Sequence, residues 1–231
     1  MIRQPSPLPL GAITRGVAVG DCPVVVVVKR PVPACQSGAV ARLAEEVAEA
    51  SLRHLAGRVR VAALLPSGRP VALVAGRHGG VSVSTSHTSG LIGAAACREA
   101  DVGIDIVDFC PQSASGERSD VGLDYWFTPG ERHLLAGDRS LSRGMVWGAK
   151  EAAYKAAALD AVFRPLEVLI EAADGAHFHW NLQHSWSKVR GVGRFFRVAG
   201  QIVVLAVAQS EQRSRSWTGH EMSGGSCSPC S

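Results

Sequence analysis

The sequence predicts an α+β fold built from two similar halves with a cleft between them. Three observations carry this expectation: a 231-residue chain that is 46% hydrophobic and 19% charged, an inventory of short strands and helix that occurs twice, and a charge balance that differs between the halves. The composition is too apolar for a disordered chain, and the length suits one large domain or two units of about 100 residues. Residues 1–100 carry 11 Lys+Arg against 5 Asp+Glu, residues 101–210 carry 11 against 13, and residues 211–231 carry 2 against 2, which leaves +6, −2 and 0. A basic first half beside a mildly acidic second half suits an anionic ligand on one side and a metal or proton-transfer site on the other. No basic run, RNP-type aromatic motif or zinc-finger spacing accompanies the excess, so nucleic acid is not an expected partner.

In the first half, residues 17–28 read as strand, with valine at every position from 24 to 28, and Pro31 and Pro33 close the segment. Residues 39–56 have helical spacing, and Gly57 is a plausible stop. Strand signals follow at residues 58–65, 71–74, 81–86 and 91–97.

In the second half, residues 102–107 read as strand, and a loop rich in Ser, Gly and Asp covers 110–122. A helix over 128–136 opens on Thr128-Pro129-Gly130-Glu131, the form of a capping box with proline at the first helical position. A second, alanine-dense helix covers 142–159, and strand signals follow at 166–171, 177–181, 194–198 and 202–208. The division expected is therefore 1–100 and 101–210, with a disordered Ser/Gly/Pro-rich tail at 211–231.

No stretch reaches the 18 or so apolar residues of a membrane span, and residues 1–10 hold three prolines and no apolar signal core, so a cytoplasmic protein is expected. The cysteines at 22, 35, 97, 110, 227 and 230 are irregularly spaced and read as thiols. Cys227 and Cys230 form a C-x-x-C with His220 nearby, but a structural zinc site needs a fourth ligand and folded surroundings.

Three segments can carry chemistry. Asp105 sits inside the apolar run from Val102 to Val107, where a lone carboxylate is costly unless it is paired or binds a metal. By alternation Val107 shares its face, and Asp108 points away unless the strand ends or bulges; the plain alternative is a strand-end Asp that caps a turn. In the second helix, Trp147, Glu151 and Lys155 follow i, i+4, i+8 and share one face, with Lys150 and Tyr154 displaced around it. A surface Glu151–Lys155 ion pair is the plain alternative. Against it stands the scarcity of lysine: 20 of the 24 basic residues are Arg, and two of the four lysines, Lys150 and Lys155, lie here. Lysine offers a compact point charge suited to a phosphate oxygen. The third segment, Ser82 to Gly90, is a strand that enters a hydroxyl-rich turn with His87, where hydroxyls, backbone N–H groups and an imidazole can wrap a phosphate.

Taken in order, these segments resemble the 4′-phosphopantetheinyl transferases. Gly103-Ile104-Asp105 is similar to that family's Gly-x-Asp, Trp147 through Lys155 to its Trp-x-x-Lys-Glu-Ala run with a further lysine downstream, and Ser86-His87-Thr88 to its Ser-His-(Ser/Thr) turn. Gly68-Arg69-Pro70 resembles its Gly-Lys-Pro turn, and Phe127 to Glu131 its Phe-(Ser/Thr)-x-x-Glu helix start. Two similar halves look like the surfactin-type, pseudo-dimeric branch, with the active site between them.

The resemblance implies transfer of phosphopantetheine from coenzyme A to a serine of an acyl or peptidyl carrier protein, with release of 3′,5′-ADP. It implies Mg²⁺, or Mn²⁺, held by Asp105 and Glu151, a base at Glu151 and a phosphate contact at Lys155. Ser86 and His87 then bind the 3′-phosphate, Arg69 borders the adenine, and Lys150 joins the cofactor-binding set. A monomer with no membrane partner is expected. Two departures stand out. The surfactin-type pattern places a second carboxylate where this chain has Val107, while the shorter synthases carry it one residue on, where Asp108 stands as a third candidate metal ligand. The first helix carries Glu45, Glu46 and Glu49 in place of a basic cluster. The rival readings are a non-catalytic module that binds coenzyme A or a carrier protein, and an unrelated α+β domain in which Asp105 and Glu151 never meet.

Overall fold

A computed structural model describes residues 12–30, 46, 48–51, 59–64, 70–74, 77–78, 80–108, 123–138, 140–159, 161–184 and 187–209, with backbone alone at 12, 59–64, 73–74 and 77–78. Arg69, Gly68, the greater part of the expected first helix, the 110–122 loop and the 211–231 tail with Cys227 and Cys230 lie outside the described residues. Residues 46 and 48–51 are helical, as expected there.

Strands β1 (Ala12–Val19) and β2 (Cys22–Lys29) form a hairpin closed by the two residues Gly20 and Asp21. The single strand expected over 17–28 is thus two strands, and Gly20 turns the chain at φ 56°, a conformation open to glycine at little cost. Strands β3 (Val59–Leu64), β4 (Pro70–Val74) and β5 (Arg77–His78) make a three-stranded antiparallel sheet. Strands β6 (Ser82–His87) and β7 (Ile92–Cys97) join the first hairpin in the order β1-β2-β7-β6.

The second half contributes β8 (Val102–Val107), helices α1 (Pro129–Gly137) and α2 (Arg143–Ala157), and strands β9 (Val168–Ala173), β10 (His177–His184), β11 (Ser187–Val198) and β12 (Gln201–Ala208). Its antiparallel sheet runs β8-β12-β11-β10-β9. The α+β class holds. The strand orders of the two larger sheets differ, so they do not by themselves establish a repeated unit.

The five-stranded sheet is covered on both faces. Ile202, Val204 and Ala206 pack with Ala149, Ala152, Ala153 and Ala156 of α2, while Val203, Leu205 and Val207 pack with Val24, Val26, Val28 and Ala95 of the four-stranded sheet. This two-sided burial explains why β12 reads as an unbroken apolar run rather than an alternation. Strand β11 starts seven residues before the expected strand at 194 because its glycines mask it. A Cβ on Gly193 would fall within 1.9 Å of the Phe178 ring, and one on Gly191 within 2.6 Å of Trp180. Those glycines make room for aromatic rings from the paired strand.

The start of α1 is the expected capping box. Thr128 Oγ1 accepts the Glu131 N–H at 3.3 Å, and Glu131 Oε2 accepts the Thr128 N–H at 2.8 Å.

Candidate active site at the seam of two sheets

Helix α2 lies directly on β8 because both present small residues to the contact. A Cβ on Gly103 would sit 1.9 Å from the Ala152 carbonyl oxygen, and one on Gly148 would sit 2.5 Å from a Val107 methyl and 3.3 Å from Asp105 Oδ2. Glycine at both positions therefore lets backbone meet backbone, and Asp105 and Val107 face α2 as alternation requires. The Gly-x-Asp spacing follows: residue 103 admits the helix, and residue 105, one pleat along, meets it with a carboxylate.

On α2 the residues Trp147, Glu151 and Lys155 form a partly exposed stripe, while Gly148, Ala149, Ala152 and Ala153 are buried. Lys155 Nζ donates to Asp105 Oδ1 and to the Ile104 carbonyl, both at 3.0 Å. The Asp105 and Glu151 carboxyls are close enough to interact, and the Trp147 indole stands beside Glu151. Burial pushes the Glu151 carboxyl above its ordinary pKa, the Asp105 charge pushes it further, and Lys155 and Trp147 oppose the shift. Trp147 is held edge-on by Trp126 and Phe163, with ring centroids at 5.1 and 5.6 Å.

Across the seam, strand β6 presents Ser82, Ser84 and Ser86 to the outer edge of β8. Their hydroxyls accept the N–H groups of Val102, Ile104 and Ile106 at 3.1, 3.2 and 3.2 Å. Ser86 also donates its proton to Asp105 Oδ1 at 2.9 Å.

Two cavities meet at Glu151 and Lys155. One, of about 540 Å³, is polar and takes in His87, Thr88, Asp105 and Asp108. The other, of about 440 Å³, is walled by Pro70, Tyr154, Leu159 and Phe163. Thr85, Glu151 and Lys155 line both, so the acid and the lysine stand at the junction of a polar and an apolar compartment.

Of the candidate residues, Asp105, Glu151, Lys155, Ser86 and His87 come together here. Lys150 does not. It is fully buried on another side of α2, where Nζ donates to the Pro165 and Val168 carbonyls at 2.8 and 2.6 Å and pairs with Glu131 at 2.8 Å. Burial lowers its pKa and Glu131 opposes that shift. Lys150 is therefore a strut that ties α2 to α1 and β9, and the expectation that it contacts a cofactor is corrected. Asp108 lines the rim of the same polar cavity but is exposed and accepts from the Gln201 side-chain amide, whose carbonyl in turn accepts from Thr88. Its expected place among the metal ligands is not supported by this position. Sequence reasoning assigned Glu131 to its cap and missed that it also accepts the Ile170 N–H at 2.9 Å and pairs with Lys150. It also missed the serine ladder, although serine at every second position of a strand is visible in the sequence.

Among the described residues no third His, Cys, Asp or Glu joins the pair to make a metal-binding group. The pair itself fits a hard divalent cation: a buried and a half-buried carboxylate adjoin and offer oxygen ligands beside a single lysine. Mg²⁺ commonly takes one or two carboxylates and completes its shell with water and substrate phosphate oxygens.

Among the described residues no helix is long and apolar enough to cross a membrane, and Cys22 and Cys97 are not in a disulfide. No curated protein matches the chain. The family model of the 4′-phosphopantetheinyl transferase superfamily matches residues 101–197, the segment that carries Asp105, Glu151 and Lys155, and so supports this superfamily and phosphopantetheinyl transfer as the general activity.

Proposed function

We propose that this protein is a surfactin-type, pseudo-dimeric phosphopantetheinyl transferase that moves 4′-phosphopantetheine from coenzyme A to a serine of an acyl or peptidyl carrier protein. The observation that carries the reading is the meeting of Asp105, Glu151 and Lys155 at a seam that the Ser86-His87 turn also lines. A resident Mg²⁺, or Mn²⁺, would be held by Asp105 and Glu151 and would offset the charge of the pyrophosphate.

The chain's own groups account for the remaining chemistry. The carrier serine oxygen forms a bond to the phosphorus that bears pantetheine, and the bond from that phosphorus to the bridging oxygen breaks, releasing 3′,5′-ADP. The serine proton passes to Glu151, directly or through water. Lys155, fixed on the Asp105 carboxylate, supplies positive charge to the departing phosphate. His87, exposed beside the polar cavity, would meet the 3′-phosphate; its place in the lining supports that role. The apolar compartment around Tyr154 and Phe163 gives one side of the reacting groups an apolar wall.

The test is incubation with coenzyme A, Mg²⁺ and a panel of apo carriers from fatty-acid, polyketide and nonribosomal-peptide systems, read by intact mass. A phosphopantetheine adduct on at least one carrier is expected, and none on any carrier would sink the proposal. The apolar Val107 beside Asp105 and the engagement of Asp108 by Gln201 favour one rival, a non-catalytic module of the same fold. That rival predicts coenzyme A binding by calorimetry with little Mg²⁺ dependence and no turnover.

A further inference from the structure

We infer that Ser86 is a positioning residue for the metal-binding carboxylate Asp105 and not a ligand of the 3′-phosphate; the inference rests on the transferase reading of this site. Ser82, Ser84 and Ser86 are equivalent rungs on β6, each accepting one N–H from the unpaired edge of β8. Without them those three buried donors would lose their partners, because the other edge of β8 is taken by β12. Ser86 is the last rung before the cleft, and it alone among the three touches a charged group of the site. Its oxygen is occupied by the Ile106 N–H at 3.2 Å and its proton by Asp105 Oδ1 at 2.9 Å. The side chain is 9% exposed. A hydroxyl whose proton is already committed to a carboxylate does not have it to give to a phosphate oxygen, whereas the exposed His87 next to it remains available.

The consequence for Asp105 is geometric. Oδ1 receives two donors, Ser86 Oγ and Lys155 Nζ. Oδ2 lies toward α2, 3.3 Å from where a Cβ on Gly148 would stand, and is free of both donors. Ser86 thereby fixes the carboxylate plane from the four-stranded sheet while Lys155 fixes it from α2, so one oxygen is held and the other is offered. A ligand carboxylate supported in this way binds metal more tightly, and loss of such an outer partner typically lowers metal affinity about 10–100-fold.

The experiment uses the full chain and two readouts, with Ser82→Ala as the matched control, since it removes a ladder rung without touching a carboxylate. The first readout is Mn²⁺ affinity by electron paramagnetic resonance, without nucleotide. Ser86→Ala should weaken it about 10-fold or more, Ser82→Ala should leave it unchanged, and Ser86→Thr, which keeps the hydroxyl, should restore it. The second is the ratio of affinities for coenzyme A and 3′-dephospho-coenzyme A. Positioning leaves that ratio unchanged in Ser86→Ala, whereas a phosphate ligand lowers the affinity for coenzyme A alone. Unchanged Mn²⁺ affinity in Ser86→Ala, or a collapsed nucleotide ratio, overturns the inference. If the wild-type chain binds no Mn²⁺, the inference falls with the metal reading; if it binds Mn²⁺ but modifies no carrier, the transferase reading fails alone and the comparison of variants still decides the role of Ser86.

Discussion

Replacing Gly103 with alanine should push α2 off β8 and so separate the two halves of the candidate site. The new Cβ would lie 1.9 Å from the Ala152 carbonyl oxygen, 2.7 Å from the Ala156 amide nitrogen and 2.9 Å from the Ala152 carbonyl carbon. All three are backbone atoms of the helix, so no rotamer change relieves them. Restoring ordinary contact of about 3.4 Å requires a displacement of roughly 1.5 Å between helix and strand. Glu151 and Lys155 ride on the helix and Asp105 on the strand, so the 3.0 Å contact from Lys155 Nζ to Asp105 Oδ1 would open past hydrogen-bonding range. A misplacement of about 1 Å can lower a rate by about 100-fold, and overpacking of this kind destabilises by about 1–3 kcal/mol. For a chain of this size each kcal/mol moves the Tm by roughly 2–4 °C. The assay is the initial rate of carrier modification at saturating coenzyme A, alongside a thermal melt. A Gly103→Ala protein with the rate and Tm of wild type would refute the argument that glycine is there to admit the helix.

Asp105→Ala and Glu151→Gln should each remove carrier modification measured by intact mass; an unchanged rate in Asp105→Ala would remove that residue from the metal set. Glu151→Gln should also change how stability depends on pH. Because the folded pKa of Glu151 is raised above 4.5, its stabilising contribution is complete below that pH and is lost as pH rises through the folded value. The Tm of Glu151→Gln should therefore gain on wild type between acid and neutral pH, and a constant difference across that range would contradict the shift. Lys150→Met leaves the Glu131 carboxylate, 1% exposed, without its cation and should destabilise by about 3–5 kcal/mol in denaturant titrations. Combining it with Glu131→Gln should return part of that loss, because no buried charge is then left unpaired. Val107→Glu, which adds a carboxylate on the face that already holds Asp105, should retain transfer and tighten Mn²⁺ binding, and loss of both would show that the pocket beside Gly148 is too close for the longer side chain.

Strand β8 was legible to the residue, and the capping box at Thr128 was legible as chemistry, because in both cases the signal is local. What escaped depends on neighbours distant in sequence. The first part of β11 reads poorly as strand since Gly191 and Gly193 are chosen to fit Trp180 and Phe178, side chains supplied by another strand. The β1–β2 turn, by contrast, carries a local signal, Gly20-Asp21 between two apolar runs, which the reading of 17–28 as one strand passed over.

The two lysines of α2 show the same limit inside the site. Their scarcity correctly marked each as placed for a reason, but the reasons differ. Five residues along a helix is a rotation of about 140° from one side chain to the next, so Lys150 and Lys155 cannot serve one pocket. Lys155 falls on the stripe of Trp147 and Glu151 and reaches the cleft. Lys150 turns into the core, where two carbonyl oxygens and one carboxylate satisfy its three N–H groups. A planar arginine fork would not suit three acceptors arranged around one point, which is why lysine is needed there. The same property that suggested a phosphate contact, a compact rotatable charge, thus serves a structural socket at one position and the candidate site at the other. Helical phase, not residue type, separates them, and Asp105, which Lys155 reaches and Lys150 does not, shows which side of α2 faces the chemistry.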